Sequence, residues 1–430
     1  MFTIAFILFL LVKLTGTLRY VFGGILELTS PEAGVKRDYS LQPTLTIVIP
    51  CYNEGEAVYS TIKSLSETSY PKDKLTIVAV NDSSIDNSWE WIQKAAEEFP
   101  GVIALNNDEN LGKTRSVLRG FDCTQSEMLM IVDSDTILAP DCIQELAACF
   151  ASPKMGCVGA PARLRNPGTN GLTAFQVQMY YLNSRIAKRL ESMFCSAGCI
   201  GGYSLMMRRS VFNEVRAAVE ARNWHGVKVR DGEDRFLTHN IVLRGYSTYI
   251  TMKAKCWTTV PDTFKKFYGQ QLRWYRSSTR DFFWTTRTLW KHSSLNPVFF
   301  FVYFMVPMVT FVSIAKLVEE LIRNPMFWLF PDYTYAYIGC AFIVAWILSK
   351  FHKDQKLANP ALLFVFALWW LVNTLWLLPL AMLTLDSDGW GNRDAHIITH
   401  WDAKKASAAA KPVAKPAAQS TPDMAPVPAT

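Results

Sequence analysis

Hydrophobic and polar positions follow two different patterns along the chain. Between residues 44 and 255, short β-branched runs are separated by amphipathic stretches of helical period: LTIVIP (45–50), LTIVAV (75–80), VIALNN (102–107), MLMIVDSD (128–135) and CVGAPARL (157–164). This alternation predicts an α/β domain, a mostly parallel sheet covered by helices in a Rossmann-like, nucleotide-binding layout. Outside that span the apolar runs are longer. Residues 2–28 are apolar except for charges such as Lys13 and Arg19, and lack the small-residue cleavage site of a secretory signal, so 1–28 is expected to be a retained membrane anchor. Runs 297–318, 326–348 and 361–385 each reach the roughly 20 residues that cross a bilayer, the middle one interrupted by Pro331 and Asp332.

Residues 29–43 read as a linker. Residues 256–292 form the approach to the long apolar runs. Between 262 and 291 seven basic residues stand against two acidic ones, interleaved with Phe264, Phe267, Tyr268, Trp274, Tyr275, Phe282, Phe283, Trp284 and Trp290. That mixture predicts amphipathic helices lying in the headgroup layer. The runs from 293 to 385 form a transmembrane region. The tail, 402–430, is rich in Ala, Pro and Lys with almost no large apolar residue and is expected to be disordered.

Composition supports the membrane expectation: half of the 430 residues are hydrophobic, and the mean hydropathy is +0.09, high for a soluble enzyme of this size. The nine cysteines are scattered, never spaced as CxxC or paired with histidines, which argues against a disulfide framework or zinc site and for a reducing compartment. A net charge of +7, with Lys and Arg crowded beside the apolar runs, suits an anionic membrane surface better than nucleic acid.

In open α/β sheets ligands bind at the carboxyl ends of the strands. Four of these ends are polar: PCYNE (50–54), NDSS (81–84), NLGKTRS (110–116) and DSDT (133–136). One such end is turn chemistry; four on one edge describe a site. Asp133 and Asp135 can either cap their turn or present hard oxygens to Mg2+ or Mn2+ on a diphosphate. Lys113, after Gly112 at a helix start, can meet a phosphate or be solvated; Asn107 in place of glycine rules out a P-loop. Asp82 can accept from a nucleotide or cap a helix starting near Ile85. The acids of DGEDRFLTHN (231–240) supply N-terminal helix charge, and one of them, Asp234, is placed to act as a general base toward a sugar hydroxyl.

Taken in order, PCYNE, NDSS, NLGKT, DSD, GEDR and QQLRW, flanked by apolar runs, resemble the processive membrane synthases of glycosyltransferase family 2, in particular hyaluronan synthases and rhizobial chitin-oligosaccharide synthases. The resemblance runs from Thr44 to Arg393. It implies a GT-A catalytic domain facing the cytosol at the plasma membrane. It implies that Glu54 and Asp82 help hold uridine, Lys113 the diphosphate, Asp133 the nucleotide sugar and Asp135 a Mg2+ or Mn2+ ion. Asp234 becomes the catalytic base; Gln270, Arg273 and Trp274 match QxxRW, with Trp274 stacking beneath the acceptor sugar. CIGGYSLMMR (199–208) resembles a segment whose cysteine, here Cys199, borders the acceptor, although Tyr203 stands where that family has proline. DGWGNR, within 386–401, resembles the gating motif WGTR through Trp390 and Arg393, with Asn392 replacing threonine.

The implied activity is processive, inverting polymerisation of UDP-sugars (UDP-GlcNAc, with or without UDP-GlcA) into a β-linked polysaccharide moved across the bilayer, most like hyaluronan synthase. A chitin-oligosaccharide or poly-GlcNAc synthase is the alternative, and a non-processive enzyme acting on a lipid carrier a further one. With the catalytic domain inside, a third full crossing by 361–385 would carry Trp390 and Arg393 outside. The segment is therefore expected to be re-entrant or interfacial, broken near Pro379.

Overall fold

The computed structural model describes residues 22–26, 29, 35–229, 232–288, 319, 322–323, 369 and 376–387. Runs 297–318 and 326–348, most of 2–28, nearly all of 361–375, and the segment from 388 onward with Trp390, Arg393 and the tail lie outside them. Among the described residues no helix is long and apolar enough to cross a membrane.

The first half of the domain alternates strand and helix in the order β1 (Leu45–Cys51), α1 (Ala57–Ser66), β2 (Leu75–Asn81), α2 (Ser88–Glu98), β3 (Val102–Asn106), α3 (Lys113–Asp122) and β4 (Met128–Ile131). After it come β5 (Ile137–Leu138), α4 (Cys142–Ala147), β6 (Met155–Gly159), β7 (Ala162–Leu164), α5 (Gly171–Tyr180) and α6 (Ala187–Met193). The rest is β8 (Leu205–Arg208), α7 (Arg209–Glu220), β9 (Asn223–Trp224), β10 (Val227–Lys228), α8 (Glu233–Leu243), β11 (Ser247–Ile250), β12 (Cys256–Thr258) and α9 (Phe264–Thr288).

Seven strands form the main sheet in the order β11-β6-β8-β4-β1-β2-β3. Strands β4, β1, β2 and β3 pair in parallel, with Ile47 opposite Ile77 and Met130, and Val48 opposite Val78 and Ile131. The inner strands β1, β2 and β4 are nearly continuous apolar runs because both faces are covered, whereas the edge strand β3 is partly exposed. Ile47, Ile49 and Ile77 pack with Val58, Ile62 and Leu65 of α1 and Ile92 of α2, while Val48, Val78 and Val80 pack with Val117 and Phe121 of α3 and Phe212 and Val215 of α7. Fully burying each such side chain contributes about 1.5–3 kcal/mol.

The main sheet is mostly parallel, as expected, and two details refine the layout. The sheet is mixed, because β8 runs antiparallel between β4 and β6. The apolar stretch 157–164 is not one strand either: it breaks after β6, and β7 crosses into a second sheet of order β5-β12-β7. Pro161 lies at that break and carries no N–H for the ladder. The second sheet sits beside the turn that follows β4, so β12 delivers Thr258 to Asp135.

Helix α9 carries the QxxRW residues and has two working faces. Tyr268, Leu272 and Tyr275 pack against Leu377, Leu380 and Ala381 of a helical stretch, 376–383. Arg276 Nε donates to Thr384 Oγ1 at 2.9 Å, and Arg280, almost fully buried, donates to the carbonyls of Leu385 and Ser387 at 3.1 and 2.8 Å. Its other face, through Phe267, Gln270, Trp274, Ser277 and Asp281, turns toward the catalytic domain at the three-to-four-residue spacing of one helical stripe.

Candidate active site

The loops after β1, β2 and β3 are tied into one rim. Asn53 N–H donates to Ser84 Oγ, Glu54 N–H to Ser88 Oγ, and Asn53 Oδ1 accepts from Ile85 N–H. Asp82, fully buried, accepts from Asn107 Nδ2, the Leu111 and Gly112 amides and Ser116 Oγ, at 2.6–2.9 Å. Both its oxygens therefore hold the turn that starts α3. No helix begins at Ile85; α2 starts at Ser88, and the carboxylate instead fixes the turn that leads into α3. Gly112, the residue before α3, takes a φ of 84°, a conformation glycine adopts freely.

Lys113 opens α3 and points into the domain. Its Nζ lies 2.7 Å from Asp133 Oδ1 and 2.6 Å from Glu233 Oε1, with 12% of the side chain exposed. Burial alone would lower the ammonium's pKa, but Asp133, Glu233 and Asp234 outweigh it and hold the value above that of an ordinary lysine. Glu233 is displaced upward, chiefly because burial disfavours its charge. The stretch 199–203 closes over this cluster. A Cβ at Gly202 would sit 2.7 Å from Lys113 Nζ and 3.2 Å from Asp133 Oδ1, so a larger residue would displace the ammonium from its carboxylates. The Gly202 amide approaches Asp234 Oδ2 at 3.4 Å, and Ile200 N–H donates to Thr238 Oγ1 of α8 at 3.1 Å. Cys199 lies here too, its thiol pushed up to about 12 by burial and then by the negative field of Asp234.

Asp135 is half-buried; its Oδ1 accepts from Thr258 and from Thr136. Among the described residues no group of three or more His, Cys, Asp or Glu side chains could hold a metal ion by itself. A Mg2+ or Mn2+ ion that bridges a diphosphate needs only one or two carboxylates, the phosphates and water supplying the rest. The hard oxygens of Asp135 and Asp133 at the turn after β4 fit that requirement.

Tyr180 joins the turn after β4 to α9. Its ring meets Trp274 edge-on at 6.0 Å. Its hydroxyl, hydrogen-bonded by Gln270, is displaced upward by burial first and by Asp135 second. Gln270 Oε1, Gln271 Nε2 and Arg273 Nε are buried without a hydrogen-bond partner among the described residues. Buried polar atoms left in this way are costly, and here they lie on the helix that borders the carboxylates. Trp274 keeps 38% of its surface exposed.

The structure thus places Lys113, Asp133 and Asp234 in one cluster with Cys199 against Asp234, places Asp135, Gln270 and Trp274 around Tyr180, and puts Glu54 and Asp82 in the adjoining rim. Trp390 and Arg393 lie outside the described residues. Sequence reasoning passed over Glu233, Gly202, Tyr180 and Asp281. Glu233 is the neighbouring acid of Asp234, and its pairing with Lys113 crosses 120 positions. Asp281 lies seven residues beyond Trp274 on the same stripe, a period visible in the sequence.

Residues 43–277 match the family described as Glycosyltransferase like family 2. An N-acetylglucosaminyltransferase of Rhizobium leguminosarum bv. viciae is 31% identical over 244 residues, covering 56% of each chain, so the chain spans just over half the length of that relative. A hyaluronan synthase of Streptococcus pyogenes is 25% identical over 377 residues, 86% of this chain and 87% of that one. A mannosyltransferase from Pyrobaculum calidifontis, solved with GDP-Man and Mn2+, shares the fold: TM-score 0.60 at 18% identity, over 87% of this chain and 98% of that one. With a GT-A-like mixed sheet and this match over more than half its length, the chain belongs to glycosyltransferase family 2 and is a glycosyltransferase.

Proposed function

We propose that the chain is an inverting, processive synthase that extends a β-linked glycan from UDP-sugars at the cytoplasmic face of the cell membrane. The observation that supports it most is the convergence beneath Gly202 of Lys113, Asp133 and Asp234, bordered by the Gln270 and Trp274 stripe of α9. Asp234 takes the proton from the acceptor hydroxyl as its oxygen bonds to the anomeric carbon. The bond from that carbon to UDP breaks on the opposite face, and the electron pair leaves with UDP. Inversion turns an α-linked donor into a β-linked product. Lys113 and Arg273 offset the charge on the departing diphosphate, and Trp274 offers an aromatic face to the acceptor ring. When bound, a divalent ion held by Asp135 supplies further neutralisation of the diphosphate.

GlcNAc is the sugar assigned first, since the more identical of the two named relatives is an N-acetylglucosaminyltransferase. The hyaluronan reading, in which GlcNAc alternates with glucuronic acid, is favoured by similarity over a larger share of the chain. Purified protein offered each radiolabelled UDP-sugar singly and in pairs tests both. Polymer from UDP-GlcNAc alone supports the first reading, a strict need for UDP-GlcA as well supports the second, and single-sugar products from either mixture defeat processivity.

The apolar runs supply the membrane part of this reading. The arginine contacts that tie residues 384–387 to α9 support a last segment that ends on the catalytic side, where Trp390 and Arg393 could gate the site. Protease that trims the tail only from the outer face of sealed vesicles would overturn that placement.

A further inference from the structure

Among the buried acids to which the mechanism gives no role is one on α9. Asp281 sits on α9 two helical turns beyond Trp274 and is 3% exposed. Arg222, just past α7, lies 3.7 Å from its Oδ1, and Arg235, the neighbour of Asp234 on α8, lies 3.6 Å from its Oδ2. Arg222 is held in turn between the rings of Phe236 and Trp284, at 4.8 and 5.1 Å. One turn before Asp281, Ser277 presses on the start of α8. Gly232 adopts a φ of 69°, and a Cβ there would fall 1.9 Å from Ser277 Oγ. The turn that carries Glu233 and Asp234 thus meets α9 through a glycine contact and through two guanidinium groups at ion-pair distance from one carboxylate, whose oxygens have no hydrogen-bond partner among the described residues.

We propose that Asp281 is a positioning residue: through Arg235 and Arg222 it locks the Gly232–Asp234 turn to the helix bearing Gln270 and Trp274, so that base and acceptor platform keep one register. The proposal rests on the reading of Asp234 as the base. The carboxylate does this work when ionised, since only the anion draws both guanidiniums. Burial is the largest influence on it and, against the pull of Arg222 and Arg235 and with the push of Asp234, raises its pKa to about 7; Arg280, on its own helix, is the remaining charge that faces it. Between the usual 3.8 and about 7 the folded chain holds a proton that the unfolded chain has lost, so this group makes stability fall as pH rises through that window.

The test compares the full chain with Asp281→Asn, Asp281→Glu and Arg235→Gln. Amide hydrogen exchange over 232–238 needs no substrate. It is expected to quicken about tenfold in Asp281→Asn and Arg235→Gln, while β1 and β2 are unchanged. In transfer from UDP-GlcNAc, kcat is expected to fall about tenfold in Asp281→Asn with donor KM within about twofold, and Asp281→Glu is expected to recover most of it. The ratio of wild-type to Asn-variant kcat should shrink from pH 8 to pH 6, as the wild-type carboxyl takes up its proton. Unchanged exchange at 232–238, a ratio independent of pH, or a loss carried by donor KM overturns the proposal. Should Asp281→Asn not fold, Arg235→Gln carries the same exchange and kcat expectations. If the wild-type chain transfers nothing from UDP-GlcNAc, the function reading fails, and the exchange measurement still decides the role of Asp281.

Discussion

The donor and acceptor sides of the cleft are built by different means. On the donor side one buried carboxylate, Asp82, is saturated by hydrogen bonds from a single loop, Asn107 to Ser116, and the strands beneath it are apolar on both faces. On the acceptor side charges and rings from α5, α8, α9 and the 199–203 stretch face one another across long sequence separations, with Glu233 of α8 reaching across to Lys113 and a polar atom of Gln270 left over. A saturated network resists rearrangement, whereas a partly satisfied one has capacity for a ligand and depends on several elements staying in register. Damage to the donor side should therefore appear first as lost stability, and damage to the acceptor side as lost turnover in a folded protein.

Replacement of the base gives the largest separation. Asp234→Asn is expected to slow transfer about a thousandfold, roughly 4 kcal/mol of barrier, with UDP-sugar binding by calorimetry retained. On the opposite side, Asp82→Ala strips four donors of their partner and should cost about 3 kcal/mol of stability, seen as a drop in Tm of the solubilised chain before any specific loss in kcat. Trp274→Ala should abolish long polymer while the chain still binds vesicles. Losing the stacking face costs about 1.5 kcal/mol of acceptor affinity, read on a gel as short products. Smallest is Tyr180→Phe, which keeps the ring against Trp274 and removes the Gln270 bond: about 1 kcal/mol, measured as a modest rise in acceptor KM. If Asp82→Ala left Tm unchanged, or Asp234→Asn unfolded the chain, the contrast between the two sides would collapse.

Much of the donor side was legible in the sequence. LTIVIP, LTIVAV and the runs after them become β1 to β4 nearly as written, since the inner strands, covered on both faces, must be largely apolar, and the polar ends meet through Asn53 with Ser84 and Asp82 with Gly112. The acceptor side was legible only as separate motifs. GEDR pointed to Asp234, yet nothing local shows that Glu233 answers Lys113, or that the Gly202 backbone passes close over a lysine ammonium. The single run 157–164 hid a change of sheet, and β8 runs against its neighbours, because strand direction depends on which connection returns the chain and not on the strand's own residues. Asp281 was counted among the charges of an interfacial helix, although its spacing from Trp274 put it on the same stripe.

By itself the sequence determined the alternating α/β frame, the order of the polar strand ends, the family, and the stripe of α9 that carries QxxRW. Those follow from periodicity and from residues adjacent in the chain. Tertiary structure alone decided which acid pairs with Lys113, that Asp82 holds a loop, that Tyr180 links Gln270 to Trp274, and that Asp281 seats the turn of Asp234. Ion pairs and ring contacts act over a few ångströms, and the partners here are joined by tens of residues of chain, so only packing could choose among the acids and rings on offer.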